Sequence, residues 1–169
     1  FRNPNFKTQV KVIADAKPKP AEKALKTGGK YTVSGAVYKV SSAKSRTVIL
    51  VKAKNAKSIS VPATVKISGK SCKVIQVAAK SLTGSKIRKV TVGKNVKKLD
   101  RNSFAKSKAT TVVLKTKALK KSTVKGCFKS SKVKTVQVKV GSKKQNKKMV
   151  KTYKKAFTKK NCGKKVKVR

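Results

Sequence analysis

The apolar residues between Leu82 and Val138 recur in a fixed pattern. Leu82, Ile87, Val90 and Val92 return as Phe104, Ala109, Val112 and Leu114, a shift of 22 residues. They return again as Phe128, Val133, Val136 and Val138, a shift of 24. The internal steps of five, three and two residues hold in all three copies. No such unit is long enough to bury its own apolar set. Units of this kind bury a continuous core by stacking on their neighbours, so the pattern demands a solenoid. Ile59 and Val61 read as a fragment of a fourth copy.

A period of 22 to 24 lies within the range of leucine-rich repeats. Each unit offers one short strand, whose inward residues are Val90 and Val92, Val112 and Leu114, or Val136 and Val138. A larger residue on the return path, Leu82, Phe104 or Phe128, fills the layer behind it. Turn residues follow the strand, as at Gly93 to Asn95. The expected class is a β-rich leucine-rich-repeat solenoid of the α/β kind, with three to four repeats over residues 59–140.

Solenoid ends need caps. Residues 1–28 read as a tether, since Pro4, Pro18 and Pro20 interrupt regular structure there. A short strand fits Gln9 to Ala14. Residues 29–58 read as an N-terminal β-hairpin cap, with strands at Tyr31–Val40 and Thr47–Ala53 and a polar turn near Ser41 to Ser45. A tighter hairpin is expected around Gly69 and Lys70. Residues 141–169 read as a C-terminal helix and strand. Met149, Val150, Tyr153, Ala156 and Phe157 fall at helical spacing, with Ser142 as N-cap, Gly163 as the stop and "KKVKVR" as the final strand.

Charge narrows the choice of partner. Lys and Arg number 49 against 3 acids, Asp15, Glu22 and Asp100, giving a formal charge of +46. Such a chain repels itself and attracts polyanions. High charge with low hydrophobicity often means disorder. Here Lys alternates with Val, Thr and Gln, as in "KVKTVQVKV", which is strand patterning with one buried face. Arg occurs only at positions 2, 46, 88, 101 and 169. Specific nucleic-acid readers favour its planar fork, so a coat of Lys implies non-specific nucleic-acid binding at low salt and no sequence code.

Catalytic and metal chemistry find little footing. There is no His, which excludes Ser-His-Asp and Cys-His arrangements. Cys72, Cys127 and Cys162 match no metal spacing. They read as three small buried residues, or as one disulfide with a leftover thiol. Ser-x-x-Lys at Ser41, Ser103, Ser122 and Ser131 is a chance product of abundant Ser and Lys, without its partner motifs. "SGKS" at Ser68 to Ser71 has Thr64 where a phosphate-binding loop requires Gly, so it reads as a hairpin turn. No catalytic residue, metal or cofactor is expected, and no stretch approaches the ~20 apolar residues of a membrane span.

The run "VPATVKISGKSCKVIQVAAKSLTGSKIRKVTVGKNVKKLDRNSFAKSK" resembles the BspA-like leucine-rich repeats of bacterial surface proteins. The resemblance lies in Pro62 to Val65, the turn Ser68 to Lys70, the pairs Ser103-Phe104 and Cys127-Phe128, and the strand Lys89 to Val96. It covers about residues 29–169. It implies a secreted or cell-surface binding or adhesion module without enzymatic activity, and the near absence of acids departs from the usual pattern.

The candidate ligand face is the set of outward strand positions. It comprises Lys89 and Thr91, then Thr111, Val113 and Lys115, then Thr135, Gln137 and Lys139. A Thr and Gln ladder edged by Lys suits anionic polymers, glycans or a surface protein, bound by a monomer.

Overall fold

The computed structural model describes residues 24–169 apart from Ser85. Most of the 1–28 tether, with Asp15, Glu22 and the strand at Gln9 to Ala14, lies outside the described residues. Lys30–Val33 (β1), Ala36–Ser42 (β2) and Thr47–Lys52 (β3) are consecutive antiparallel strands. The sequence pattern predicts one strand from Tyr31 to Val40, but the chain folds back at Ser34 and Gly35. Both residues have positive φ, 50° and 77°, the backbone that a two-residue hairpin of matching twist requires. Tyr31 and Tyr38 thereby become cross-strand partners.

Ser58–Val61 (β4) is followed by a second hairpin, Thr64–Ile67 (β5) and Lys70–Val77 (β6), turning at Ser68 and Gly69. β6 then joins β3 in parallel, with Val48 opposite Val74 and Leu50 opposite Val77. Lys89–Val92 (β7) precedes the two-residue strand Lys98–Leu99 (β8), which extends the first sheet beside β6. Thr111–Leu114 (β9) and Thr135–Val138 (β10) follow.

After β10 the chain forms two helices, Lys143–Ala156 (α1) and Lys159–Cys162 (α2), and ends in the short strand Lys167–Val168 (β11). The second sheet runs β11-β10-β9-β7-β4 and is parallel throughout. Its strands stand in phase. Ile59, Val90, Val112, Val136 and Val168 are successive partners, as are Val61, Val92, Leu114 and Val138. The result is a strand-rich β-solenoid of about four turns with a little helix.

The return path is stacked as regularly as the strands. Leu82 N donates to Ser103 O (3.1 Å), Phe104 N to Cys127 O (3.4 Å) and Phe128 N to Cys162 O (2.9 Å). These bonds set Leu82, Phe104 and Phe128 one above another, all fully buried. Phe104 meets Phe128 edge-on at 5.1 Å, an arrangement worth about 0.5–1.5 kcal/mol beyond the buried area. All the buried apolar residues but Ala105 and Val113 form one continuous cluster from Tyr38 to Val168. A thin aliphatic composition suffices because each coil fills only its own layer.

The C-terminal cap differs from expectation in one respect. Ser142 caps α1 as predicted, accepting from Gln145 N, but α1 ends at Ala156 and Gly163 instead stops α2. Phe157 leaves helical geometry to pack on Phe128, and the Thr158 hydroxyl starts the new helix by accepting from Asn161 N. The first turn of α1 holds Lys and no acid, which opposes the helix dipole. Packing of Tyr153, Ala156 and Phe157 must hold the helix in place.

Candidate ligand face

The outward positions of the parallel sheet form two columns. The first runs Ser58, Lys89, Thr111, Thr135 and Lys167; the second runs Ser60, Thr91, Val113 and Gln137. Neighbours in a column are one strand spacing apart, about 4.8 Å. The fold therefore brings Lys89, Thr91, Thr111, Thr135 and Gln137 together on one face. Of these, Lys89 is exposed and the others are half-buried. Their hydroxyl and amide groups both donate and accept hydrogen bonds.

Val113 is a correction. It stands in the outward column but is only 4% exposed, and it lies apart from the main buried cluster. Val113 lies between Thr91 on β7 and Gln137 on β10, and it is covered where Thr111, on the same strand and face, is half-buried. Val113 is an apolar floor to the face and offers a ligand little.

Lys115 and Lys139 follow the strands. Lys115 N donates to Val92 O (2.9 Å) and Lys139 N to Leu114 O (2.8 Å), which continues the ladder one residue further. Both side chains border a groove of about 500 Å³, together with Ser60, Thr91 and Lys94. A neighbouring groove of about 450 Å³ shares Lys94 and Lys115 and adds Asn95 and Lys117. The Lys117 ammonium donates to Gln145 Oε1 (3.0 Å). Sequence reasoning passed over Ser58, Ser60, Lys94 and Lys167. Ser58 and Ser60 flank the fragmentary fourth copy, which was the available signal, whereas Lys94 sits in a turn read only for its shape.

Another basic groove, about 660 Å³, is lined by Lys98, Arg101, Lys125, Lys129 and Lys160 together with Asp100. Asp100 is already engaged. It accepts from Gln76 Nε2 (2.7 Å) and pairs with Lys98 (3.1 Å).

The remaining chemical candidates serve the fold. Ser103 Oγ donates to Cys127 O (3.5 Å) and Ser131 Oγ to Phe128 O (2.7 Å), both inside the protein. Ser68 to Ser71 spans the β5–β6 turn. Cys72, Cys127 and Cys162 are buried free thiols. Burial pushes each thiol up, Cys127 most, and the neighbouring Cys162 adds to that rise. Thiols so placed are poor nucleophiles. No group of metal-ligating side chains occurs among the described residues, and no helix there is long and apolar enough to cross a membrane.

No protein-family model matches the chain, and no curated protein matches it. Among solved structures, the pneumococcal vaccine antigen PcpA aligns over 70% of this chain, with 16% identity and a TM-score of 0.44. The aligned part is 31% of that antigen's length, and a likeness at this level assigns neither a family nor an activity.

Proposed function

We propose that this chain is a leucine-rich-repeat module of the BspA-like kind, secreted or displayed at a cell surface. It binds anionic polymers or glycans without catalysing a reaction. The observation that carries this reading is the groove at the strand ends. There Lys94, Lys115 and Lys139 converge from successive turns beside Ser60 and Thr91. Ammonium groups supply attraction to phosphate, sulfate or carboxylate, and the hydroxyl ladder supplies hydrogen bonds to sugar oxygens. The repeat class is supported by the in-phase parallel strands, the 22 to 24-residue period and the stacked return path. The engaged Asp100 and the buried thiols support a non-enzymatic role.

Binding by many weak ionic contacts releases counterions, so affinity falls steeply with salt. A poly(glycerol phosphate) polymer is a suitable probe at about 0.15 M salt. Replacing Lys94, Lys115 and Lys139 together with Gln should weaken binding at least tenfold. Replacing the exposed Lys66, Lys70 and Lys73 of the first sheet should change it less than threefold. Equal losses from both triples would remove the site from this face, and binding that survives molar salt would remove the mechanism. Duplex DNA competing on equal terms would favour a non-specific nucleic-acid binder instead.

A further inference from the structure

The two ends of the parallel sheet are finished differently. At the C-terminal end β11 packs against α1. At the other end β4 is the last strand, and among the described residues nothing pairs with its outer side. An edge of this kind presents unpaired backbone donors and acceptors. Short length, charge and proline blunt such edges in many proteins; β4 is four residues long and has Lys57 and Pro62 at its ends, but its own residues, Ser-Ile-Ser-Val, carry neither charge nor proline. Beside it lies a groove of about 270 Å³, between β4 and the β1–β2 hairpin. Tyr38, Leu50 and Ile59 give it an apolar floor, with Val33, Lys54 and Ser58 at its rim.

We propose that the free edge of β4 and the adjoining groove dock an extended strand of a partner protein, one that alternates apolar and acidic residues. The occupant follows from three observations. A strand added to β4 continues the sheet with the same alternation, in which Ile59 and Val61 point inward and Ser58 and Ser60 point out. Every second side chain of the guest therefore meets the apolar groove. The others lie level with the Ser58 and Ser60 column, beside the exposed Lys57 that precedes β4 and Lys54 at the rim of the groove, where acidic groups are attracted. A second copy of this chain is a poor guest, because it would bring +46 against +46. These 169 residues hold only 3 acids and so offer no strand that alternates apolar and acidic residues. Backbone pairing at a sheet edge with pockets for alternate side chains is an established mode of peptide capture. This surface and ligand class are distinct from the polyanion face proposed above.

The test uses the full chain and two peptides of identical composition. One alternates Val and Glu over seven residues; the other groups the Val residues together. The alternating peptide should bind at least tenfold tighter at about 0.15 M salt, and should slow amide exchange in Ser58–Val61 at least tenfold. Ala36→Trp, which fills the groove, should abolish the preference between peptides. If that variant fails to fold, Val33→Glu at the rim serves the same purpose, because it sets a charge beside the positions that the guest's Val residues would fill. Equal binding of the two peptides would overturn the proposal, since charge alone would then account for it. Protection of all four β4 amides in the free chain would also overturn it, because the edge would already be covered by the chain's own N-terminal residues or by a second copy.

Discussion

The ring of Phe157 stacks on that of Phe128, with centroids 5.4 Å apart and planes inclined by 21°. Phe157 follows α1, and Phe128 ends the column begun by Leu82 and Phe104. The contact therefore couples the helical cap to the last turn of the solenoid. Tyr153 closes the group, meeting Phe157 edge-on at 5.8 Å. Phe157→Ala removes a ring that is 2% exposed, and truncations of this kind cost about 3–5 kcal/mol. Chemical denaturation should show that loss. Amide exchange should place the earliest opening in α1 and β11, because the cap loses its anchor before the coils lose theirs.

Tyr153 makes the cap sensitive to alkali. Its hydroxyl donates to Thr116 O at 2.7 Å inside the protein, and burial raises its pKa from 10.0 to about 12. The protonated phenol is the form that suits the fold. Its stabilising contribution is complete below about pH 10 and is lost as pH rises through about 12. Relative to Tyr153→Phe, the melting temperature of the parent chain, followed by circular dichroism, should fall across that window. Tyr153→Phe should lose about 1 kcal/mol near neutral pH, the worth of one hydrogen bond. The variant should then show a flatter alkaline profile, and a decline equal to that of the parent chain would exclude Tyr153 as its source.

The apolar spacing located the coils because it is a local property. All twelve patterned apolar residues of the three copies, from Leu82 to Val138, are buried, and Ser142 caps α1 as its position suggested. The features that escaped depend on distant partners or on backbone geometry. The parallel pairing of β3 with β6 joins segments that share no motif. β8 is two residues long and exists because Val77 and Leu99 lie opposite each other. Alternation also cannot reveal how far neighbouring strands cover an outward residue, which is why Val113 reads as exposed and is buried. The break at Ser34 and Gly35 was written in the sequence, yet the alternating residues on either side of it masked the turn.

Gly93 marks a place where two coils approach too closely for a side chain. It follows β7 where Lys115 and Lys139 follow β9 and β10. A Cβ added there would lie 2.6 Å from Val61 O and 2.7 Å from Ala63 N, both backbone atoms that cannot swing aside. The cause is Pro62, which carries the chain across the strand end just after β4. Gly93→Ala should therefore cost about 1–3 kcal/mol through overpacking. Exchange of the β4 amides on the β7 side should speed up, while β9 and β10 keep their protection. An unchanged melting temperature would show that the coils have room to spread.

Charge limits the stability of the whole molecule. A formal charge of +46 on 169 residues repels itself, and salt screens that repulsion over about 8–10 Å near physiological ionic strength. The melting temperature should rise steadily as sodium chloride goes from about 0.01 M to 1 M, the range over which the screening length shortens about tenfold. Asp100 is the one acid among the described residues. It is 23% exposed, pairs with Lys98 and accepts from half-buried Gln76. Asp100→Asn keeps an acceptor for Gln76 and removes the charge, so it should cost up to about 1 kcal/mol at low salt and less at high salt. Asp100→Ala also strands the Gln76 amide, a loss of about 1–3 kcal/mol that salt does not screen. Measuring both variants at both salt concentrations separates the ionic contribution from the hydrogen bond. Equal costs for the two at low salt would mean that Gln76 finds another partner or water, leaving the charge on Asp100 as its whole contribution.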